Sequence, residues 1–499
     1  MFATFKRIRK RDLLSRGLSS SIRLLMKPIK RQLNNLYFIF CIVLFSLLSG
    51  CLGETDGIDP PSDELIYPVA LSSVLDDSHL LVVNSNFWLE YNAGTLVAYS
   101  LSTLDAIGGQ PTSYDTATGV VTLPAGVSFG QFCTGGRTGT YCNLDAAAGI
   151  RANETIRLGA YASELNITPA GDRALIPVRG EQTIITVDIA GGANLLDCGE
   201  SDNDDRRCDD DHRITGNGQV GFPIEPYDVT TMDYVHEENG VQVTDTLGFA
   251  SHRAGGDVSL FSVSRQQAGD AFPVADNSLI SVLNGVLKGA SGIVANPQRQ
   301  EVYLVGQRDD VSRVAVLEVQ TDWRQGGSYL TDPSFGQTRT IDINGEIMNG
   351  TGARDIAVSP DGNTGFVITQ NPPALLKLDL RRYRVSDMAT VCRESAKVET
   401  FVDEQDPDDP LDDKLYAYVL CFTSGQVYIV DADYMVPVIR KTGSGPQDIT
   451  FDNRRKIAYI ANFTESTITM IQSVAPFNLI RVVEAGNAAE PLILRIGKP

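Results

Sequence analysis

The sequence predicts an all-β chain folded as a single β-propeller, with seven blades of four antiparallel strands. Two observations lead there. A unit of strand, polar turn, strand, loop and strand recurs seven times between about residues 65 and 475. Within each unit, apolar and polar residues alternate near period two, with β-branched and aromatic enrichment. Repeats of 40–50 residues holding three or four strands each signal propeller blades, because one blade cannot bury both its faces and must stack on neighbours around an axis. A pair of β-sandwiches is the competing arrangement.

Composition bounds the function classes. The 499 residues have 42% hydrophobic content and a mean hydropathy of −0.07. That excludes a polytopic membrane protein and a mostly disordered chain. Acidic residues number 62 against 42 basic, a formal charge of −20. Neutralising phosphates needs an excess of Lys and Arg, so no nucleic-acid partner is expected. Four histidines are too few for a haem array or a many-histidine metal site.

Residues 1–50 differ from the rest. Ten Lys and Arg face one acid, Asp12, a local charge of +9, which taken from −20 leaves −29 on the remainder. The basic stretch ends at Lys30-Arg31, an apolar run of about 13 residues begins at Leu36, and Leu48-Ser49-Gly50-Cys51 follows. A basic region, a short apolar region and small residues before a cut make a secretory signal; the run is short for a spanning helix of about 20 residues. Met26 opens a segment to Cys51 that is a complete signal by itself.

Leu48-Ser49-Gly50-Cys51 resembles the bacterial lipobox. The resemblance implies cleavage before Cys51, acylation of that cysteine and anchoring in a membrane of the cell envelope. Leu52, where an aspartate would signal inner-membrane retention, points to the outer membrane. Residues 51–64, with Gly53, Asp56, Gly57, Asp59, Pro60 and Pro61, read as a flexible lipidated tether, and residues 65–499 as the propeller domain.

Beyond Cys41 and Cys51 there are six cysteines: Cys133, Cys142, Cys198, Cys208, Cys392 and Cys421. An even number in an exported domain implies disulfides, and proximity suggests Cys133–Cys142, Cys198–Cys208 and Cys392–Cys421. The rival, a zinc site, lacks any Cys-x2-Cys or His-x3-His pair.

Seven copies align on their middle strands at positions 81, 175, 248, 303, 366, 418 and 459, the last interval being 41 residues. The clearest copy runs from Gly445-Pro446-Gln447-Asp448-Ile449 through Ile457-Ala458-Tyr459-Ile460-Ala461-Asn462 to Thr467-Ile468-Thr469. Another holds Ser359-Pro360-Asp361-Gly362, residues suited to a type I turn. These segments resemble the YVTN-type repeat of lactonase-like β-propellers. Copies one, two, three and six lack its Tyr-Val-Ala-Asn core.

Candidate chemistry is sparse. Segment 197–212 carries eight acids in and around the Cys198–Cys208 loop. Calcium takes six to eight hard oxygens, and Asp202, Asp204, Asp209 and Asp211 are the candidate ligands. There is no Gly at the sixth loop position and no Glu at the twelfth, so it is no EF-hand; a solvated insertion is the alternative. Segment 403–413 carries seven acids and two prolines and reads as a flexible insertion. His212, His236 and His252 flank the third copy and could share a metal; His79 sits in a turn and is expected in solvent. No Gly-x-Ser-x-Gly elbow, P-loop or haem-attachment motif occurs. No catalytic set is readable.

Two functions stay open. One is a lipid-anchored binding or scaffolding protein that takes a protein or small-molecule ligand on its loop face. The other is an envelope hydrolase of lactonase type. The mouth of the channel discriminates them.

Overall fold

A computed structural model describes residues 57–62, 64–101, 114–115, 120–122, 133–135, 140–143, 152–189, 194–199, 206–216, 220–238, 240–268, 274–307, 313–319, 335–343, 351–404, 413–477, 481–483 and 490–495. Contacts separate Met1–Gly57 from Ile58–Pro499, and every described strand belongs to the second unit. The signal and Cys51 lie outside the described residues.

The seven copies are seven antiparallel sheets. Blade 1 is Pro68–Val74, His79–Asn84, Gly94–Ser100 and Ala152–Leu158. Blade 2 is Asn166–Ile167, Arg173–Val178, Thr183–Ile189 and Leu196–Asp197. Blade 3 is Pro226–Glu238, Val241–His252, Asp257–Gln267 and Val274–Leu283; blade 4 is Ala290–Asn296, Glu301–Gly306, Arg313–Val319 and Phe335–Asp342. Blade 5 is Thr351–Val358, Thr364–Asn371, Pro373–Asp379 and Arg384–Thr390, and blade 6 is Ser395–Asp403, Lys414–Cys421, Gln426–Asp431 and Pro437–Lys441. Blade 7 is Pro446–Asp452, Ile457–Asn462, Thr467–Gln472 and Glu490–Arg495.

The second strands carry the core. Tyr303, Phe366, Tyr418 and Tyr459, at the repeat position marked in the sequence, are fully buried. In blade 3 the register moves that position by one. Phe249, opposite Thr230, is the equivalent, and Gly248 pairs with Thr231. A Cβ on Gly248 would stand 2.1 Å from the Phe261 ring, which fills the space that the glycine leaves. Outer strands such as Arg384–Thr390 are largely exposed, as expected where stacking ends.

Blade 2 is the most irregular. Its outer edge is a two-residue strand, and Arg213–Ile214 also pairs with its third strand. The Cys198–Cys208 disulfide closes the loop between these two pieces. Cys392–Cys421 fastens the connection out of blade 5 to the second strand of blade 6. Cys133 and Cys142 are register partners in a short hairpin, and their side chains lie outside the described residues.

Ring closure uses contacts that local sequence does not show. Blade 1 meets blade 7 where the Leu71 amide donates to Asp448 Oδ2 at 2.7 Å and the Ser73 amide to Thr450 Oγ1 at 3.1 Å. The insertion between the third and fourth strands of blade 1 supplies Thr140–Asn143, which pairs in parallel with the outer strand Glu490–Arg495 of blade 7. That covers an edge that would otherwise offer unpaired amides. Part of the expected tether also lies along blade 1: Asp59 pairs with Arg157 at 2.9 Å, and the Glu64 carbonyl accepts from Asn84 Nδ2.

Candidate functional site

One structural device recurs at the start of the blades. In six of them the first strand carries a register shift, at Pro68/Ala70, Pro226/Asp228, Ala290/Gly292, Ala353/Asp355, Ser395/Val398 and Pro446/Asp448. A β-bulge re-aims a side chain out of the ladder. Four of these positions are charged, Asp228, Asp355, Lys397 and Asp448, while blades 1 and 4 place Ala70 and Gly292 there; with Glu164 in the equivalent place of blade 2, and joined by Glu399, the four form a charged layer.

The Lys397 ammonium is 3.0 Å from Glu164 Oε2 and 4.0 Å from Asp448 Oδ1. Its side chain is 17% exposed. Three carboxylates also cap the next blade. Asp228 Oδ2 accepts from the Ile293 amide, Asp355 Oδ2 from Val398 and Asp448 Oδ2 from Leu71, all within 2.9 Å. Gly292 makes room for one of them, since a Cβ there would stand 2.8 Å from Asp355. Burial pushes the Asp228 and Glu399 pKa values up to about 7, with Lys397 opposing. Burial likewise raises Asp355 and Asp448, and drives Glu164 well above the carboxylate range. Burial works against the Lys397 charge, but Glu164 and the aspartates outweigh it and hold its pKa well above the usual lysine value.

Directly above this layer is the mouth, a basin of about 890 Å³. Strand starts and the loops after second strands build it. One wall is aromatic. Phe463 lies 5.4 Å from Tyr67, 5.7 Å from Phe87 and 6.1 Å from Phe422, centroid to centroid. Phe87 also meets Tyr161 and Trp88 edge-on. Phe87 and Trp88 are 42% and 62% exposed, large for apolar rings. Arg179, Arg253 and Arg354 face the basin from blades 2, 3 and 5, and among the described residues Glu394 is the one acid lining it.

The same rim carries a backbone conformation that recurs from blade to blade. Three residues before each inward-aimed position, φ is positive in all seven blades. Gly289, Gly352 and Gly445 take this conformation at φ 67 to 77°, as glycine readily does. In the other four blades the residue is Tyr67, Tyr161, Glu225 or Glu394, at φ 49 to 62°. Left-handed backbone costs an ordinary side chain about 1–2 kcal/mol. Three of these four side chains line the basin, and Glu225 faces Arg179 at 3.5 Å.

The residues expected from sequence to carry chemistry lie elsewhere. Asp202 and Asp204 fall outside the described residues. Asp209 Oδ1 accepts from the His212 amide and is 2.7 Å from its Nδ1, while the Asp211 carbonyl accepts from Asn277. Hydrogen bonding to Asp188 raises the His212 pKa. With Asp209 engaged, calcium and magnesium at matched ionic strength are expected to shift the melting temperature equally. A bound ion at 100-fold excess over Kd would add about 2.7 kcal/mol, so a calcium-only rise of several degrees would place one there.

The three histidines flanking the third copy do not converge. His236 stands 3.4 Å from Asp245, and His252 is buried against Phe222 with Nε2 2.7 Å from Ser259 Oγ, burial lowering its pKa to about 4. Among the described residues, no three His, Cys, Asp or Glu are grouped to hold a metal. His79, expected in solvent, is partly buried, and burial lowers its pKa. Of the acidic segment 403–413, Asp403 is buried at the end of a strand and 405–412 lie outside the described residues.

The basin and the charged layer were not legible as a site. Asp228, Asp355 and Asp448 each precede Val or Ile in their repeat, and that recurrence at one repeat position was the signal available.

Fold and site together define a seven-bladed β-propeller with a ligand-sized basin over a charged channel. No family model and no curated protein matches the chain. Among solved structures it is similar to Kuenenia stuttgartiensis hydrazine synthase, at 14% identity and TM-score 0.34 over 62% of this chain and 95% of that one. A functionally unknown protein from Desulfotomaculum acetoxidans aligns at 11% identity and TM-score 0.36, over 64% of this chain and 71% of that one. The β-propeller domain of Myceliophteria thermophila Cps50 (Swd1) aligns at 9% and 0.44, over 81% and 97%. At these values the likenesses carry no functional inference.

Proposed function

We propose that this chain is a lipid-anchored binding protein of the cell envelope, a propeller of YVTN type that holds its ligand in the basin at the channel mouth. The observation that carries the basin is the strained rim. Side chains are kept at Tyr67, Tyr161 and Glu394 in a conformation that three sister blades give to glycine. Strain retained where glycine would relieve it marks a site at which the side chain has a use. A cavity of about 890 Å³ with aromatic walls and a few polar groups has the size and lining of a small-molecule site. The basic, apolar and lipobox order of residues 27–51 supports the anchor.

Tyr161→Gly is the diagnostic variant, because glycine suits the backbone while the ring is lost. Detergent-solubilised wild-type protein drawn from envelope extracts is expected to carry a bound molecule detectable by native mass spectrometry. The variant should melt within a few degrees of wild type and carry little of it. Equal loading of both proteins would remove the basin as the binding site.

A further inference from the structure

Resting on the basin reading above, we infer that the ligand is a small anion with a planar apolar body, its carboxylate or similar acid group held between Arg179 and Arg253 and its body laid on the Phe463 wall. The two guanidinium groups flank one ring, with Arg179 5.8 Å and Arg253 5.1 Å from the Tyr227 centroid. Each has some company: Arg179 faces Glu225 at 3.5 Å, and Arg253 Nη2 donates to Gln307 Oε1 at 3.1 Å. Arg179, Arg253 and Arg354 bring three guanidinium charges to the basin, against Glu394 as the acid among its described lining residues, so the charge balance of the wall favours an anion. Guanidinium presents donors in a fork that matches a carboxylate or phosphate.

The opposite wall sets the rest of the molecule. Phe463 with Tyr67, Phe87 and Phe422 offers ring faces and edges to a flat apolar group. Below, the layer around Lys397 is rich in carboxylates and would repel an anion that went deeper. The acid group is therefore held at the rim.

A matched pair of probes tests this: naphthalene-2-carboxylate and naphthalene-2-carboxamide, titrated calorimetrically into the solubilised full-length protein with detergent alone as the blank. The carboxylate is expected to bind about tenfold more tightly than the amide, the worth of one charge-assisted hydrogen bond. Arg179→Gln with Arg253→Gln should bring the two probes to near parity, and Tyr161→Gly should weaken both alike. An amide that binds as tightly as the carboxylate to wild type, or arginine variants that keep the preference, would overturn the anion assignment while leaving the basin a binding site. Failure of both probes to bind wild type would overturn the assignment and the basin together. The wild-type ratio needs no variant to fold, so a misfolded arginine variant does not rescue the proposal.

Discussion

Lys397→Met is expected to lower stability by about 3 kcal/mol or more at pH 8, the usual cost of removing one partner from a buried ion pair. The cause is what remains. Glu164, Asp228, Asp355, Asp448 and Glu399 surround the ammonium, and the nearest carboxylate oxygen is 3.0 Å away. Without it they repel one another in a poorly solvated channel.

The pH dependence has a definite sign. All five carboxylates have folded pKa values above their unfolded ones, with Asp228 and Glu399 at about 7. A group raised on folding contributes stability that is present below its unfolded value, near 4, and lost as pH climbs through the folded value. The wild-type melting temperature should therefore rise as pH falls from 8 to about 5.5. His252 opposes this, because a histidine held down to about 4 contributes stability that is lost as pH falls from 6.5. With His79, whose pKa burial also lowers, it is two groups against five. In the variant, protonation relieves the repulsion that the lysine no longer offsets, so its deficit should shrink steadily on acidification. Thermal melts at half-unit pH steps decide the matter. A variant as stable as wild type at pH 8, or a deficit that grows towards pH 5, would remove Lys397 as the charge that holds the layer together.

Cys51→Ala should abolish acylation outright. A fatty-acid probe is expected to label wild type and leave the variant dark, and the mature wild-type mass should lack residues 1–50. Two or three acyl chains suffice for stable anchoring, so wild type should sediment with membranes. Label retained in the variant, or a mature chain that keeps residues 1–50, would replace the lipoprotein reading with that of an uncleaved anchor.

Blade 7 shows how much the sequence could say. Tyr459 to Asn462 reads as a buried strand because alternation, β-branching and a polar turn at Asn453-Arg454-Arg455 are all local. In the structure Asn462 Nδ2 donates to Thr467 and Thr469 Oγ1 within the same hairpin. The Cys198–Cys208 and Cys392–Cys421 pairings were legible for the same reason, since 10 and 29 residues separate the partners. Blade 3 marks the limit. Gly248 and Phe249 fit a strand equally well, and the partner strand decided which faces the repeat position.

Lys397 and Glu164 stand 233 residues apart, and the arginines of the basin come from three blades. No spacing rule links them, because each lies on its own strand start or loop and only closure of the ring brings those segments together. By itself the sequence determined the strand pattern, the seven-fold repeat and two cysteine pairs, since each rests on hydrogen bonds or packing within one or two neighbouring hairpins. Tertiary structure alone decided which residues meet at the axis. There bulges aim Asp228, Asp355, Lys397 and Asp448 inward beside Glu164, and the charge balance of that layer depends on five blades at once.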